Sequence, residues 1–296
     1  QRRTDVHFLK DQSGFAGELF MGHLRYGTFG KNNVQYLHPV IRSNNWMTRN
    51  LVLAGNFNMT NVDELFQKLL ELGQYPVETS DTITILEKIG HFLDEENEKL
   101  YARFRSEGYS KRDITEMIAS TIDIAEILRR ASSNWDGGYA ISGMLGHGDA
   151  FVFRDPSGIR PAFYYHDEDV FVAASERPVI QTALNISHKS IRELEPGYAV
   201  IVKRNGSVVI EQILTPANRK ACSFERIYFS RGTDVDIYRE RKQLGKLLTP
   251  AVLKAVDHNL QHTVFSYIPN TAAVAFYGMV EQLGNFCNDL KKDLLL

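Results

Sequence analysis

The sequence contains 296 residues, of which 43% are hydrophobic and 24% are charged, and its formal net charge is −2. These values are typical of a globular protein with room for two domains. No apolar run approaches the roughly 18 residues of a membrane-spanning helix, and no basic stripe indicates nucleic-acid binding, so we expect neither partner. Cys222 and Cys287 are too few for a disulfide framework and lack zinc-type spacing, which favours a reducing, cytoplasmic setting.

The first candidate motif is GHLRYGTFG at residues 22–30. Glycines let backbone N–H groups approach a ligand closely, and a guanidinium can hold a carboxylate through two parallel hydrogen bonds. Arg25 is therefore a candidate for binding a carboxylate. The alternative is an ordinary surface arginine in a loop. We expect the histidines to be ordinary residues, because none has metal-ligand spacing: His23, His38, His147 and His166.

The second motif, LAGNFNMTN at residues 53–61, continues an apolar run that resembles a strand. An asparagine that follows a strand commonly hydrogen-bonds to its own backbone in an Asx-turn, which is the simplest interpretation. Alternatively, the Asn56 side-chain amide and a neighbouring backbone N–H could together hold a developing oxyanion. The residues alone leave both hypotheses open.

The third motif, TSDT at residues 79–82, stands at the start of a segment with helical periodicity. An acidic residue such as Asp81 is stabilised in a first helical turn by the helix dipole, or it could face a substrate ammonium. Ser80 and Ser110 are predicted to cap two long amphipathic helices. One apolar face contains Ile85, Leu86, Ile89, Phe92 and Leu93, and the other contains Ile114, Met117, Ile118, Ile122 and Leu128.

From residue 139 to residue 215 the pattern changes to short strands, predicted at 139–144, 150–155, 159–165, 170–175, 198–203 and 207–214. The dipeptide Asn205-Gly206 predicts a tight hairpin. The fourth motif, FRDPSGIRP at 153–161, predicts a structural turn across which Asp155 could pair with arginines. Helices followed by hairpins predict the α+β class with antiparallel sheets. A polar, proline-containing stretch places a domain boundary near residue 220, before a charged helical segment at 236–245.

These motifs, followed by Ala174-Ser175-Glu176 and Leu194-Glu195-Pro196-Gly197, occur in the order found in class II glutamine amidotransferases, which the sequence resembles. Within that class it is most similar to the amidophosphoribosyltransferase family. CSFERIYFSR (222–231) and YRERKQLG (238–245) look like that family's link into a phosphoribosyltransferase domain, and residues 267–271 resemble its pyrophosphate-contacting loop.

The resemblance implies a four-layer αββα sandwich with two antiparallel sheets, of the N-terminal-nucleophile hydrolase type, over residues 1–220. Residues 221–296 would form the linker and part of an α/β phosphoribosyltransferase-type domain. The implied reactions are hydrolysis of glutamine and transfer of the ammonia to phosphoribosyl pyrophosphate, which gives phosphoribosylamine in the first step of purine synthesis. A homo-oligomer is also implied.

The resemblance assigns the glutamine α-carboxylate to Arg25, with Thr28 nearby, and the α-ammonium to Asp81. The Asn56 amide and a backbone N–H of Gly55 or Phe57 would form the oxyanion hole. The family usually has glycine where Phe57 stands, and a backbone donor at this position does not require one. Phe57 would, however, need a conformation that glycine reaches more easily.

The implied nucleophile is an N-terminal cysteine, whereas this sequence begins with Gln1, so we expect the start of the glutaminase domain to lie outside it. The phosphoribosyltransferase site of the intact protein would use Mg²⁺. Cys222 occupies the place of an iron–sulfur ligand in some members, but one cysteine cannot hold a cluster. Two alternatives remain: a class II enzyme with a different synthase domain, and a non-catalytic glutamine-binding paralogue.

Overall fold

The structure is a computed structural model that describes residues 8, 10, 12–24, 37–76 and 78–295. The chain divides into two compact units, one formed by residues 1–162 and 193–220 and the other by residues 163–192 and 221–296. Within the described ranges, no helix combines the length and the apolar content that crossing a membrane requires.

The first unit contains a six-stranded sheet in the order β1-β2-β3-β4-β8-β9, and every neighbouring pair is antiparallel. The strands β5, β6 and β7 form a three-stranded sheet in the order β6-β5-β7. The strand bounds are β1 Val40–Arg42, β2 Leu51–Met59, β3 Gly137–Leu145, β4 Ala150–Arg154, β5 Phe163–His166, β6 Phe171–Ala174, β7 Arg192–Glu193, β8 Tyr198–Val202 and β9 Val208–Gln212.

The helices of the first unit are α1 Val62–Glu71, α2 Asp81–Ser106, α3 Lys111–Thr121 and α4 Ile124–Ser132. Their apolar faces share one core with the six-stranded sheet. This core includes Leu51, Leu53, Tyr139, Ile141 and Phe153 from the strands and Ile85, Ile89, Leu93, Ile118 and Leu128 from the helices. The predicted α+β class with antiparallel sheets is therefore confirmed. The predicted caps also form, because Ser80 accepts the Ile83 N–H and Ser110 accepts the Asp113 N–H.

Two predicted element bounds are wrong, and side-chain hydrogen bonds explain both. The single helix expected through Ile114 and Leu128 is two helices, because Asp123 is extended and its carboxylate caps the second helix at the Glu126 N–H, 2.9 Å away. The strand expected at 159–165 begins only at Phe163, because the N–H groups of Ile159 and Arg160 turn inward to bind Asp155. The predicted Asn205-Gly206 hairpin forms between β8 and β9.

The second unit contains α5 Arg177–Leu184, α6 Val235–Ala255 and α7 Ala273–Leu295. The helices α6 and α7 cross at two glycines: a Cβ on Gly245 would lie 1.7 Å from the Ala275 carbonyl oxygen, and one on Gly278 would lie 1.9 Å from that of Lys242. The side chain of Arg177 binds both carboxylate oxygens of Asp234, the cap of α6, at 2.8 and 2.7 Å. Residues 221–295 form no strand, and the α/β character of this region stays a prediction.

Candidate active site

Residues 53–59 of the second motif, which include Asn56, lie within the continuous strand β2, and Thr60 and Asn61 form the turn that follows it. Gly55, Asn56 and Phe57 pair in register with Ile141, Ala140 and Tyr139 of β3. The Asx-turn interpretation is therefore wrong. Since side chains alternate along a strand, Leu53 and Phe57 face the helical layer, whereas Asn56 points to the opposite face and is exposed. The Asn56 side chain thus lies on the exposed face of the sheet.

The third motif forms the start of helix α2. Ser80 caps the helix, Asp81 is its first residue, and the Asp81 carboxylate accepts the Thr82 N–H at 2.8 Å. Asp81 is half-buried. The position is favourable for a carboxylate because the exposed N–H groups at a helix start carry partial positive charge. The dipole interpretation of Asp81 and its predicted role in binding a substrate ammonium are compatible at this position.

His38 connects these two motifs, although no pattern in the sequence singles it out. Its Nδ1 accepts the Gly55 N–H at 3.1 Å, and its Nε2 lies 3.2 Å from the Thr82 hydroxyl. Its ring also stacks on Phe57, with ring centroids 5.5 Å apart and an interplanar angle of 25°. The His38 imidazole therefore contacts both Gly55, which precedes Asn56, and Thr82, which follows Asp81.

The described part of the first motif also reaches His38. The ring of His23 lies 4.6 Å from the ring of His38, centroid to centroid, at an interplanar angle of 30°. Arg25, the predicted carboxylate-binding residue, and Thr28 beside it lie outside the described residues, as does the rest of the motif to Gly30. Three motifs that are separated in sequence therefore meet around one side chain.

The prediction that His23 and His38 are ordinary histidines thus overlooks the contact between them, for a reason that lies in their positions. His23 lies inside the first motif and His38 lies eight residues after its end, and neither position has the spacing of a metal-ligand pair on a helix. Their common contact depends on how the chain approaches β2, which periodicity does not report. His147 is different, because its buried side chain lies 3.0 Å from the carboxylate of Asp149 in the turn between β3 and β4.

Glycine at position 55 leaves space for the ring of Phe57. A Cβ on Gly55 would lie 2.7 Å from the Ala140 carbonyl oxygen and 3.0 Å from the Phe57 Cδ1. Successive N–H groups of a strand point to opposite edges, so the Phe57 N–H points to the same edge as the Gly55 N–H. Strand β1 pairs with β2 only as far as Leu53, opposite Val40, and does not reach that edge at Phe57.

The fourth motif forms a closed turn. The buried carboxylate of Asp155 accepts N–H groups from Tyr139, Ser157, Ile159 and Arg160 at 3.3, 3.0, 2.9 and 3.0 Å. The expected pairing of Asp155 with a neighbouring arginine is replaced by these bonds. The Arg154 guanidinium instead donates to the Gly158, Arg160 and Leu194 carbonyls at 3.2, 2.7 and 2.5 Å. The turn is therefore structural, as its sequence predicts.

Two side chains in this region have shifted pKa values, and the described residues form no group of metal ligands. Burial raises the pKa of Tyr139, which pairs with Phe57 across the sheet, so its hydroxyl stays protonated. Burial lowers the pKa of Lys88, which lies on α2 two turns after Asp81. Within the described ranges, no three His, Cys, Asp or Glu side chains are grouped so that they could hold a metal ion. The described structure therefore offers no metal centre at this site.

Comparison with known proteins relates the chain to one group of enzymes. No protein-family model matches the chain. The amidophosphoribosyltransferase of Archaeoglobus fulgidus is 26% identical over 286 residues, which are 95% of this chain and 54% of that protein. The amidophosphoribosyltransferase of Pseudomonas aeruginosa is 28% identical over 291 residues, which are 95% of this chain and 53% of that protein. The chain thus spans about half the length of these relatives.

Solved structures agree. The glutamine phosphoribosylpyrophosphate amidotransferase of B. subtilis, complexed with ADP and GMP, superimposes with a TM-score of 0.61 at 26% identity, covering 88% of this chain and 49% of that one. A structure described as the allosteric regulatory enzyme of purine biosynthesis gives a TM-score of 0.62 at 26% identity, covering 88% of this chain and 48% of the other. The predicted resemblance to this group of enzymes is confirmed.

Proposed function

We propose that this chain is part of a glutamine-dependent amidophosphoribosyltransferase and that it carries most of the glutaminase site. The observation that carries the proposal is the meeting of three motifs at His38. Gly55 and Phe57 from β2, Thr82 from α2 and His23 from the first motif all contact this ring. The similarity to amidophosphoribosyltransferases over 95% of the chain supports the same function.

In this proposal each end of glutamine has its own partners. The Asn56 amide and a backbone N–H of β2 stabilise the negative charge that develops on the amide oxygen of glutamine. The Asp81 carboxylate at the start of α2 binds the α-ammonium. Arg25, with Thr28 beside it, binds the α-carboxylate through the two-pronged geometry of a guanidinium. Position and charge support the assignment of Asp81, and the family resemblance supports that of Arg25.

The proposed chemistry is hydrolysis through a thioester. The thiolate of an N-terminal cysteine attacks the side-chain amide of glutamine, ammonia leaves, and water releases glutamate. The ammonia then displaces pyrophosphate from phosphoribosyl pyrophosphate and gives phosphoribosylamine. Of the residues that the structure describes, β2 contributes the oxyanion donors and Asp81 contributes the contact with the α-ammonium in the first reaction. A metal ion would assist the second reaction, but the described residues offer no matching ligand cluster, so no residue is assigned to Mg²⁺.

Several broader features belong to the same proposal. They are a four-layer αββα arrangement of the glutaminase domain, a domain boundary near residue 220, a following phosphoribosyltransferase-type domain and assembly into a homo-oligomer. The two antiparallel sheets support the first feature. The cysteines Cys222 and Cys287 are both unpaired, which supports the cytoplasmic setting.

The decisive experiment measures glutamate release from glutamine by the full-length protein, with its N terminus as processed in the cell. We expect release that increases when phosphoribosyl pyrophosphate is added. Glutamate release without that stimulation would remove the transferase half of the proposal and favour a class II enzyme with another synthase domain. Glutamine binding without any release would favour the non-catalytic paralogue.

A further inference from the structure

The hydrogen bonds of His38 have a fixed direction. The Gly55 N–H can only donate, so His38 Nδ1 must be the unprotonated, accepting nitrogen. A neutral imidazole then carries its proton on Nε2, which donates to the Thr82 hydroxyl 3.2 Å away. The Thr82 hydroxyl in turn lies 3.4 Å from the Asp81 carboxylate, to which it can donate. A directed chain therefore runs from the backbone of β2 to Asp81.

We propose that His38 is a positioning residue that sets both ends of the glutamine site, and this inference rests on the function proposed above. At one end it accepts the Gly55 N–H. The Phe57 N–H therefore remains as the backbone donor that acts together with the Asn56 amide in the oxyanion hole. At the other end it orients Thr82 and, through it, the Asp81 carboxylate. The side chain acts through these neighbours and does not touch the reacting atoms.

The aromatic contacts of His38 support a positioning role. The ring packs against two other rings, those of His23 and Phe57, at centroid distances of 4.6 and 5.5 Å. An imidazole that is packed against two rings has little freedom to rotate about its own bonds, so both nitrogens stay directed at their partners. Phe57 also belongs to the surface that packs against the core. The position of the His38 ring therefore depends on Phe57, which is fixed by its packing in the sheet.

The same contacts give a physical account of Phe57. A phenylalanine at this position has its ring on the helical side of β2, away from Asn56, where it stacks on His38 and occupies the space beside Gly55. The Phe57 ring and the Asn56 side chain thus lie on opposite faces of the strand. Phe57 keeps its backbone N–H, so the larger side chain does not remove the donor that the oxyanion hole requires.

Two substitutions separate the two arms of His38, which are its hydrogen bond with the Gly55 N–H and its hydrogen bond with the Thr82 hydroxyl. An asparagine side-chain oxygen reaches about as far as Nδ1, so His38→Asn keeps an acceptor for the Gly55 N–H and loses the contact with Thr82. A glutamine side-chain amide reaches about as far as Nε2, so His38→Gln keeps a donor for Thr82 and loses the acceptor for Gly55. His38→Ala, which loses both arms, is the reference. Thermal unfolding of each variant reports whether the fold is retained.

Amide hydrogen exchange measured by NMR tests the first arm without any substrate. We expect the Gly55 N–H to exchange about tenfold faster in His38→Gln and His38→Ala, the factor that corresponds to one lost hydrogen bond, and to keep its protection in His38→Asn. Unchanged Gly55 protection in His38→Gln would overturn the inference. This outcome does not depend on whether the protein hydrolyses glutamine.

Steady-state kinetics of the full-length protein test the consequence at the site. We expect His38→Gln to lower kcat for glutamate release about tenfold with little change in KM, because it disturbs the oxyanion end. We expect His38→Asn to raise KM for glutamine several-fold with little change in kcat, because it disturbs the Asp81 end. Equal losses in both variants would indicate a merely structural role and overturn the inference. Altered Gly55 exchange in a protein that neither binds nor hydrolyses glutamine would instead overturn the proposed function.

Discussion

In both the turn around Asp155 and the cluster around His38, a side chain accepts backbone N–H groups, but the two regions differ in how far their polar side chains are buried. Asp155 is buried and accepts four backbone N–H groups from its own turn and from β3. In the cluster, His38 joins three motifs, while Asn56 on β2 is exposed and Asp81 on α2 is half-buried. One region directs its polar groups inward, and the other leaves them where a ligand could reach them.

This difference separates scaffold from site. A buried carboxylate that is fully used by backbone amides has no capacity left for a substrate, so its loss should affect folding. An exposed amide that lies within a well-packed strand contributes little to folding, so its loss should affect only binding or chemistry. Substitutions in the two regions should therefore change different observables, and this expectation can be tested position by position.

The largest effect is expected for Asp155→Ala, which leaves four N–H groups without their acceptor. Since each buried unsatisfied group costs about 1–3 kcal/mol, we expect a loss of at least about 3 kcal/mol in the free energy of unfolding. Urea unfolding followed by tryptophan fluorescence measures it, because Trp135 packs against Tyr139 at a ring distance of 5.3 Å. In the matched control Asp123→Ala, one exposed cap bond is lost, at a cost of about 1 kcal/mol. A loss no larger than the control's would contradict the structural role of Asp155.

The next effect is expected for Asn56→Ala in the full-length protein. Loss of one oxyanion donor should lower kcat for glutamate release by a factor of roughly 10², or about 3 kcal/mol, and leave the unfolding midpoint unchanged because Asn56 is exposed. Asn58→Ala is the matched control, since Asn58 is exposed on the same face of the same strand, two residues further on. If both variants reduced kcat equally, Asn56 would not be a specific oxyanion donor.

Much of the fold could be predicted from the sequence because local signals determine it. Periodicity and serine caps predicted the helix that starts at Asp81, and Asn205-Gly206 predicted the hairpin between β8 and β9. The failures occurred where one side chain overrides a pattern. The carboxylate of Asp123 divides a continuous apolar face into two helices, and that of Asp155 folds residues that could otherwise extend into β5.

The site was only partly predictable, for a different reason. Asn56 and Asp81 could be singled out because their motifs occur in a recognisable order, but the Asx-turn interpretation of Asn56 ignored the pairing of β2 with β3, which is a long-range contact. His38 carries no local signal, because its role depends on Gly55 and Thr82, which are 17 and 44 residues away in sequence. Contacts of this kind become visible only when the tertiary structure is known.

A smaller effect is expected for Asp81→Asn. Loss of the carboxylate charge should weaken glutamine binding by about 2 kcal/mol, roughly 30-fold, because the ammonium then donates to a neutral amide oxygen and no longer to a charged carboxylate. Isothermal titration measures the change. Asp113→Asn is the control, since Asp113 also lies in the first turn of a serine-capped helix and shares the favourable interaction with the dipole. Equal binding by both variants would reduce Asp81 to a helix-stabilising residue.

The smallest effect is expected for Lys88→Met, which tests whether the rest of α2 belongs to the scaffold. Lys88 is only 5% exposed, and Glu64, the nearby carboxylate, is paired at 2.5 Å with Lys68. Burial lowers the pKa of Lys88 in the folded state, so folding disfavours its charged form. Replacement by an apolar side chain of similar length should therefore raise the free energy of unfolding by about 1 kcal/mol near neutral pH.

The pH dependence of this gain identifies its cause. The unfolded chain binds the Lys88 proton more tightly, so the stability of the unsubstituted protein rises with pH between the folded pKa and the unfolded value near 10.4. The advantage of Lys88→Met should accordingly shrink as the pH is raised towards about 10, as measured by urea unfolding at each pH. Lys99→Met, at a position on the same helix whose side chain is 72% exposed, should give no comparable gain. If Lys88→Met instead weakened glutamine binding, the site would extend along α2 beyond Asp81, and the boundary between scaffold and site would have to be redrawn within one helix.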